Sequence, residues 1–329
     1  MNFYSIAASL QNIISSLICR KKSEYDIKDF SVKNIFVAPK VTIIVPVYNA
    51  GEYIERCLHY LLKQTLEDIE IIFVNDGSTD NSMLPVKKLA KLDNRIVIIE
   101  QENKLQGCAR NNGIKIAKGE YIGFCDADDY VDYDYYEELY NAAKKHDADI
   151  ALAENVRVSK TKYKPRLNIV KEEVFSDILD KFNACRQNKN ECPTNKIYRK
   201  ELLINNEIFF PEGVYCEDKL FSVKAVYYAN KIAAVPNIHY FYWENPNSTV
   251  NARKTKKHVQ DRMRAKQAVL EFVKSKKIPV ENWYFKAVKR KICLVNIPLF
   301  VVKESTESEK GCLFGFIPLY ERKAEDNNG

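Results

Sequence analysis

The 329-residue sequence lacks any apolar run long enough to cross a bilayer, which takes about 20 residues as a helix. The nearest approach, Met1 to Arg20, is interrupted by Ser5, Ser9, Gln11, Asn12, Ser15 and Ser16. It also lacks a basic leading segment, so it reads poorly as a signal peptide. Ile6, Leu10, Ile13, Ile14 and Leu17 recur at helical spacing ahead of Lys21 and Lys22. That pattern predicts an amphipathic helix, packed on the protein's own body or laid on a membrane surface. The nine cysteines are odd in number and scattered. No Cys-x-x-Cys and no zinc-type Cys/His spacing occurs, so they read as reduced thiols of a cytosolic protein. There is no GxxxxGK[ST] and no GxGxxG, which removes the phosphate-loop and dinucleotide fingerprints. Ten glycines and eleven prolines exclude a low-complexity chain, and no internal repeat is visible.

The net charge of +7 is unevenly placed. Between Arg253 and Lys291 a dense set of lysines and arginines is opposed only by Asp261, Glu271 and Glu281. Such a face suits a polyanionic partner, anionic lipid or a phosphorylated acceptor, or is simply a solvated helix surface. No nucleic-acid module accompanies it, so no nucleic-acid partner is expected. The length allows one large domain or two with a substantial core.

What is present is an alternation. Val41–Val47, Glu70–Val74, Ile96–Ile99 and Tyr121–Phe124 are short, apolar and rich in β-branched residues. They predict strands buried on both faces. Helical patterns lie between them, as in Ile54, Cys57, Leu58, Leu61 and Leu62. Strand and helix alternating at this spacing predict a parallel, doubly wound sheet. Ligands of such sheets bind beyond the carboxyl ends of the strands. There the sequence places Val47-Tyr48-Asn49, Asn75-Asp76-Gly77-Ser78 and Asp126-Ala127-Asp128-Asp129. Three acids at the end of a buried strand repel one another, and a divalent cation holding a phosphate would offset that. Asp126 and Asp128 are expected on one side of an extended chain. Asp76 followed by Gly77 can turn tightly while offering its carboxylate to a base or ribose, whereas Asp80 and Ser82 suit a helix cap.

Further on, Lys160 to Arg166 reads as a basic loop, and Glu217-Asp218 opens a helix, where acids also serve simply to favour the dipole. Ile232–Val235 and His239–Trp243 read as short aromatic strands. The apolar segments Ile292–Val302 and Cys312–Tyr320 read as core or as membrane-facing. Tyr240, Phe241, Tyr242 and Trp243 either cover a site and stack on a sugar or pack in a core.

Taken in order, Val41–Asn49, Leu62-Lys63-Gln64-Thr65, Glu70–Asp80, Gln106–Gly113, Gly119–Asp129 and Glu217–Phe221 resemble family 2 glycosyltransferases of the GT-A fold. The resemblance covers residues 40 to 245 and is closest to the bacterial branch that builds capsule and lipopolysaccharide. It implies a Rossmann-like α/β domain over 40–245, with a nucleotide-sugar half at 40–130 and an acceptor half at 131–245. An N-terminal helix and linker (1–39) would precede it, and a mainly helical basic region (246–329) would follow. It implies a cytoplasmic, inverting hexosyltransferase using Mn²⁺ or Mg²⁺, with peripheral contact at the inner face of the membrane. The partners implied are a nucleotide-sugar donor, most simply a UDP-sugar, and a glycan or lipid-linked acceptor.

Residue by residue, the resemblance assigns Pro46, Val47, Tyr48, Asn49 and Asp76 to uracil and ribose and Arg110 to the diphosphate. Asp126-Ala127-Asp128 becomes the DXD motif, with Asp128 and Asp126 on the metal. Asp218 becomes the general base, with Glu217 beside it on the acceptor. His239 is a further candidate for the metal, or an ordinary structural histidine. Asn75 stands where the family has an acid, Tyr133 where proline is common, and Gly107 replaces a glycine usual just after Asn103. The Gln-x-x-Arg-Trp motif of processive synthases is absent, so single or limited additions are expected. The competing readings are a sugar nucleotidyltransferase, disfavoured because Tyr48-Asn49-Ala50-Gly51 offers no basic glycine-rich loop, and an inactive glycan-assembly partner, disfavoured by intact Asp126, Asp128 and Asp218.

Overall fold

The computed structural model describes residues 38–186, 191–245 and 255–278, together with the backbone of four later strands between 288 and 323. The predicted helix in residues 1–20 lies outside the described residues. The first strands are β1 (Val41–Val47), β2 (Ile69–Asp76), β3 (Ile96–Gln101) and β4 (Tyr121–Phe124). They form a parallel array in the order β3-β2-β1-β4. The sheet continues through β9 (Lys196–Arg199), β6 (Ile150–Val158), β10 (Ile232–Trp243) and β5 (Tyr130–Val131). β9 is antiparallel to both neighbours, whereas β6 and β10 run parallel.

Period-two alternation splits the core between the two faces. Val41, Ile43, Val45 and Val47 join one apolar cluster with helices α1 (Ile54–Leu62), α2 (Met83–Ala90) and α4 (Tyr135–His146). Ile44, Ile72 and Val74 point into the other, under α3 (Leu105–Ile116), α5 (Ile178–Ala184), α6 (Lys200–Asn205), α7 (Asp218–Tyr228) and α8 (Lys256–Ser275). A sheet buried on both faces needs apolar residues at every position, which is why these strands read as unbroken apolar runs.

Three expectations change. Lys160 to Arg166 is not a plain loop: β7 (Tyr163–Pro165) folds back antiparallel on β6 to make a hairpin arm. The two aromatic strands are one, β10, carrying a bulge between Ala234 and His239. Among the described residues, the C-terminal region is helical only through α8. Beyond it β11 (Val288–Leu294), β12 (Ile297–Glu304), β13 (Ser308–Leu313) and β14 (Ile317–Lys323) form an antiparallel sheet. Ile297, Val301 and Val302 favour extended backbone, and that preference prevails over the helix expected for the basic extension.

The entry to β4 is fixed at the opposite edge from the acids. Thr42 Oγ1 donates to Glu70 Oε2 at 2.7 Å and accepts from the Gly119 amide at 2.8 Å. A Cβ at Gly119 would stand 2.4 Å from the Thr42 amide nitrogen, which is backbone and cannot swing aside. Gly119→Ala is therefore expected to lower stability by about 1–3 kcal/mol, read as a reduced urea midpoint. An unchanged midpoint would show that this contact does not seat β4.

Candidate functional site

β4 ends in the acids, and one more backbone bond, from the Cys125 amide to Ile44 O at 3.1 Å, carries the chain to them. It then turns: the Asp129 amide donates to Asp126 O at 3.0 Å. The acidic motif therefore sits on a tight turn and not on the extended chain expected. The turn still divides its side chains, leaving Asp126 and Asp128 partly exposed while Ala127 and Asp129 are buried.

The turn is held by the end of β10. Tyr240 Oη donates to Asp129 Oδ2 at 2.6 Å, and the Trp243 amide donates to Asp129 Oδ1 at 2.8 Å. Asn245 Nδ2 donates to Asp128 Oδ2 at 3.0 Å. From the other side Arg56 Nη2 donates to the Asp128 carbonyl at 2.6 Å. Its guanidinium lies 4.8 Å from the ring centre of Tyr130 and 4.6 Å from that of Trp243. Burial first, and the Asp126 charge second, raise the Asp128 carboxyl above its ordinary range. Burial, then Asp128 and Asp126, push Asp129 well up. Arg56 and Asn245 were not among the expected site residues, whereas Asp129 was expected only as one of three clustered acids and Tyr240 as a cover of the site or as core. Arg56 reads as the wet face of an amphipathic helix, and Asn245 stands in an ordinary turn sequence, so nothing in the chain announces either one.

This donor set fits a hard divalent cation. Its ligands are carboxylate oxygens, and the repulsion that raises Asp128 is what a cation would relieve. Among the described residues no group of three or more His, Cys, Asp or Glu side chains is arranged to hold a metal, so oxygens of a bound ligand would have to complete its shell. His239 does not join the acids here. Its Nδ1 lies 2.8 Å from Asp132 Oδ2, and its amide donates to the same oxygen at 2.9 Å.

Arg110, on α3, is buried. Its Nη2 meets Asp126 Oδ1 at 2.7 Å and its Nη1 meets Glu217 Oε1 at 2.7 Å. Gln106 Nε2 donates to the same Glu217 oxygen at 2.6 Å. Both residues thus have internal partners. Arg110 meets a carboxylate with each terminal nitrogen, and Glu217, 1% exposed, is its buried counter-charge. Gly107 makes the approach feasible: a Cβ there would stand 2.7 Å from Pro211 O and 3.1 Å from Glu217 Cγ. One turn along, Asn111 exchanges two 2.9 Å bonds with the Phe210 backbone. The loop before α7 is thus fastened to α3, and Asp218 is held at the start of α7. Burial first, then the Glu217 charge, push the Asp218 carboxyl up to about 7.

The remaining expected residues lie at the ends of β1 and β2. Asn49 adopts φ 49° and accepts from the Thr79 amide at 2.8 Å. Ser78 Oγ accepts from the Asn49 amide at 3.2 Å and donates to Val47 O at 3.3 Å. These bonds knit the two loops and leave Tyr48 52% exposed. Pro46 is half-buried just before them. Asp76 is buried, its Oδ1 accepting from Gln101 Nε2 at 2.7 Å and from the Lys104 amide at 2.8 Å. Asn75 closes its turn by accepting from the Ser78 amide at 2.9 Å while donating to Glu100. A carboxylate could not do both, which accounts for the amide at this position. The parallel register sets these loops beside the acidic turn on one rim.

Residues 42–206, half of the 329-residue chain, match the model of Glycosyl transferase family 2. The chain belongs to glycosyl transferase family 2. It is 38% identical over 218 residues to the uncharacterized glycosyltransferase EpsJ of Bacillus subtilis, covering 64% of this chain and 62% of that protein. It is 34% identical over 216 residues to the poly(ribitol-phosphate) beta-glucosyltransferase of Bacillus spizizenii, covering 62% of this chain and 32% of that protein. The matches thus span less than two thirds of these relatives' own length. The fold is GT-A: it superposes on Staphylococcus aureus TarS 1-349 in complex with UDP-GlcNAc with a TM-score of 0.60 at 25% identity, over 74% of each chain.

Replacing Arg110 by Met leaves Glu217 buried without its cation. The expected cost is about 3–5 kcal/mol, read by urea denaturation. Adding Glu217→Gln to that variant removes the stranded charge and should restore part of the loss. A cost under about 1 kcal/mol for Arg110→Met would contradict the bridge's structural role.

Proposed function

We propose that this chain transfers a hexose, with inversion, from a UDP-sugar to a hydroxyl of a glycan or lipid-linked acceptor in bacterial surface-polysaccharide synthesis. The observation that carries the reading is the buried Arg110. It ties Asp126 of the acidic turn to Glu217, the neighbour of Asp218. One residue thereby fixes the position of both the acid that suits a leaving group's metal and the acid that suits a base. The UDP-GlcNAc complex of TarS supports a UDP-sugar as donor.

Asp128 and Asp126 would hold Mn²⁺ or Mg²⁺. When bound, the cation supplies charge stabilisation to the departing diphosphate. Val47-Tyr48-Asn49 and Asp76 form the rim on which the base and ribose would lie, with Tyr48 exposed to stack. Asp218 takes the proton from the acceptor hydroxyl as the new bond forms, and a carboxyl near 7 is well matched to that task. Among the described residues no helix is long and apolar enough to cross a membrane. Contact with a cytoplasmic membrane face is proposed through the basic residues of α8, such as Arg262 and Lys266.

The general base must be ionised. Because burial and Glu217 raise Asp218 to about 7, the rate of transfer should climb as pH rises through neutrality and then level off. Asp218→Asn should lower transfer by about 10²–10⁴-fold and abolish that pH dependence. A pH-independent wild-type rate, or an active Asp218→Asn, would assign the base elsewhere.

The metal assignment is checked by UDP release from a panel of sugar nucleotides, with Mn²⁺, with Mg²⁺ and with chelator. Release should require the cation and be lost in Asp128→Ala. Folded wild-type protein that neither binds nor turns over any sugar nucleotide would favour the inactive-partner reading.

A further inference from the structure

The hairpin formed by β6 and β7 has no place in the chemistry above, yet it is rooted beside the acids. Between Asn155 and Val170 the chain carries Arg157, Lys160, Lys162, Lys164 and Arg166 and no acid. Lys160, Lys162 and Lys164 are exposed and make no ion pair with described residues. Tyr163, 37% exposed, stands among them, its ring centre 6.3 Å from Phe241 and 6.5 Å from His239.

The root of the hairpin is fixed by register. Val158 pairs with Trp243 and Arg157 with Tyr242, and the Glu244 amide donates to Val158 O at 2.8 Å. Trp243 and Asn245 are the residues that grip Asp129 and Asp128. Arg157 also pairs with Glu244. On the return strand Arg166 lies 5.2 Å over the ring of Tyr242. The Tyr242 phenol is raised to about 12 by burial first and then by the charges of Asp129, Asp128 and Asp126. The cationic arm therefore emerges one strand away from the transfer site.

We infer that this hairpin is the docking surface for an acceptor that carries phosphate, a phosphodiester-linked glycan or polyol chain, lying across Lys160, Lys162 and Lys164. Lys162 and Lys164 alternate onto one face of the hairpin and Tyr163 onto the other, so the lysine face offers successive cationic donors to successive phosphates. A root beside the strand end that holds Asp128 and Asp129 favours an acceptor over a remote lipid surface. A membrane-docking face has no need to start at the catalytic rim, and α8 offers a separate basic face for that purpose. This inference rests on the transferase reading and adds the class of acceptor.

The test is binding to the full chain, with a short oligo(glycerol phosphate), a neutral maltooligosaccharide of matched length, and vesicles of phosphatidylglycerol in phosphatidylcholine. The hairpin variant is Lys160→Ser, Lys162→Ser, Lys164→Ser, and the comparison variant is Lys256→Ser, Arg262→Ser, Lys266→Ser on α8. Wild type should bind the oligo(glycerol phosphate) in a salt-sensitive way and the neutral oligomer far less. The hairpin variant should lose about tenfold in that affinity, while its binding of UDP and the comparison variant's affinity for the oligomer stay as in wild type. Equal binding of charged and neutral oligomers would overturn the proposal, as would an unaffected hairpin variant. A loss confined to the vesicles would overturn it in favour of a lipid surface. Failure of wild type to bind UDP, with hairpin-dependent oligomer binding intact, would instead remove the transferase reading and leave the anion surface standing.

Discussion

The site depends on one buried cation. Arg110 lies between two carboxylates that belong to distant parts of the chain, Asp126 after β4 and Glu217 before α7. Removing the Arg110 guanidinium and the Glu217 carboxylate from water is costly, and only close pairing with good geometry offsets it, while the partly exposed Asp126 meets the other terminal nitrogen. The three charges therefore have one low-energy arrangement. That arrangement sets the acidic turn and the start of α7 at a fixed separation. Gly107 is the steric condition for it, since any side chain there would collide with the loop that carries Glu217.

A second set of contacts works on the acidic turn from outside. Asp129 is spent entirely within the fold, on Tyr240 and the Trp243 amide. Asp128 remains partly open and is oriented by Asn245 and, through its carbonyl, by Arg56. Neighbouring carboxylates thus have different tasks because of environment alone. The same logic separates Glu217 from Asp218. The first is paired with Arg110 and Gln106, and the second is pushed to about 7 by burial first and then by the charge of the first. Burial and a neighbouring charge together tune the second acid.

The parallel half of the sheet was legible because burial on both faces forces unbroken apolar strands, and the acids at their ends stand out against that background. Asp126 and Asp128 stood out for the same reason, whereas Asp218, at a helix start, was singled out only through the family resemblance. The bridge from Arg110 to Glu217 was not foreseen, since a charged residue in a helical pattern does not reveal that it faces another charge more than a hundred residues away. Arg56 and Asn245 left no mark, because each contributes through a contact set by β5 and β10, and the pairing of those strands is not written locally. The C-terminal strands were missed because basic composition suggests a helix surface, while Ile297, Val301 and Val302 pull the backbone to extension.

The most direct test of the account is the anomalous diffraction of Mn²⁺ in crystals of the protein grown with UDP. The account predicts one strong Mn²⁺ peak bonded to the Asp128 carboxylate and to diphosphate oxygens, with the Arg110 bridge to Asp126 and Glu217 intact. UDP bound with no Mn²⁺ at Asp128, or Arg110 released from Glu217 onto the diphosphate, would contradict it.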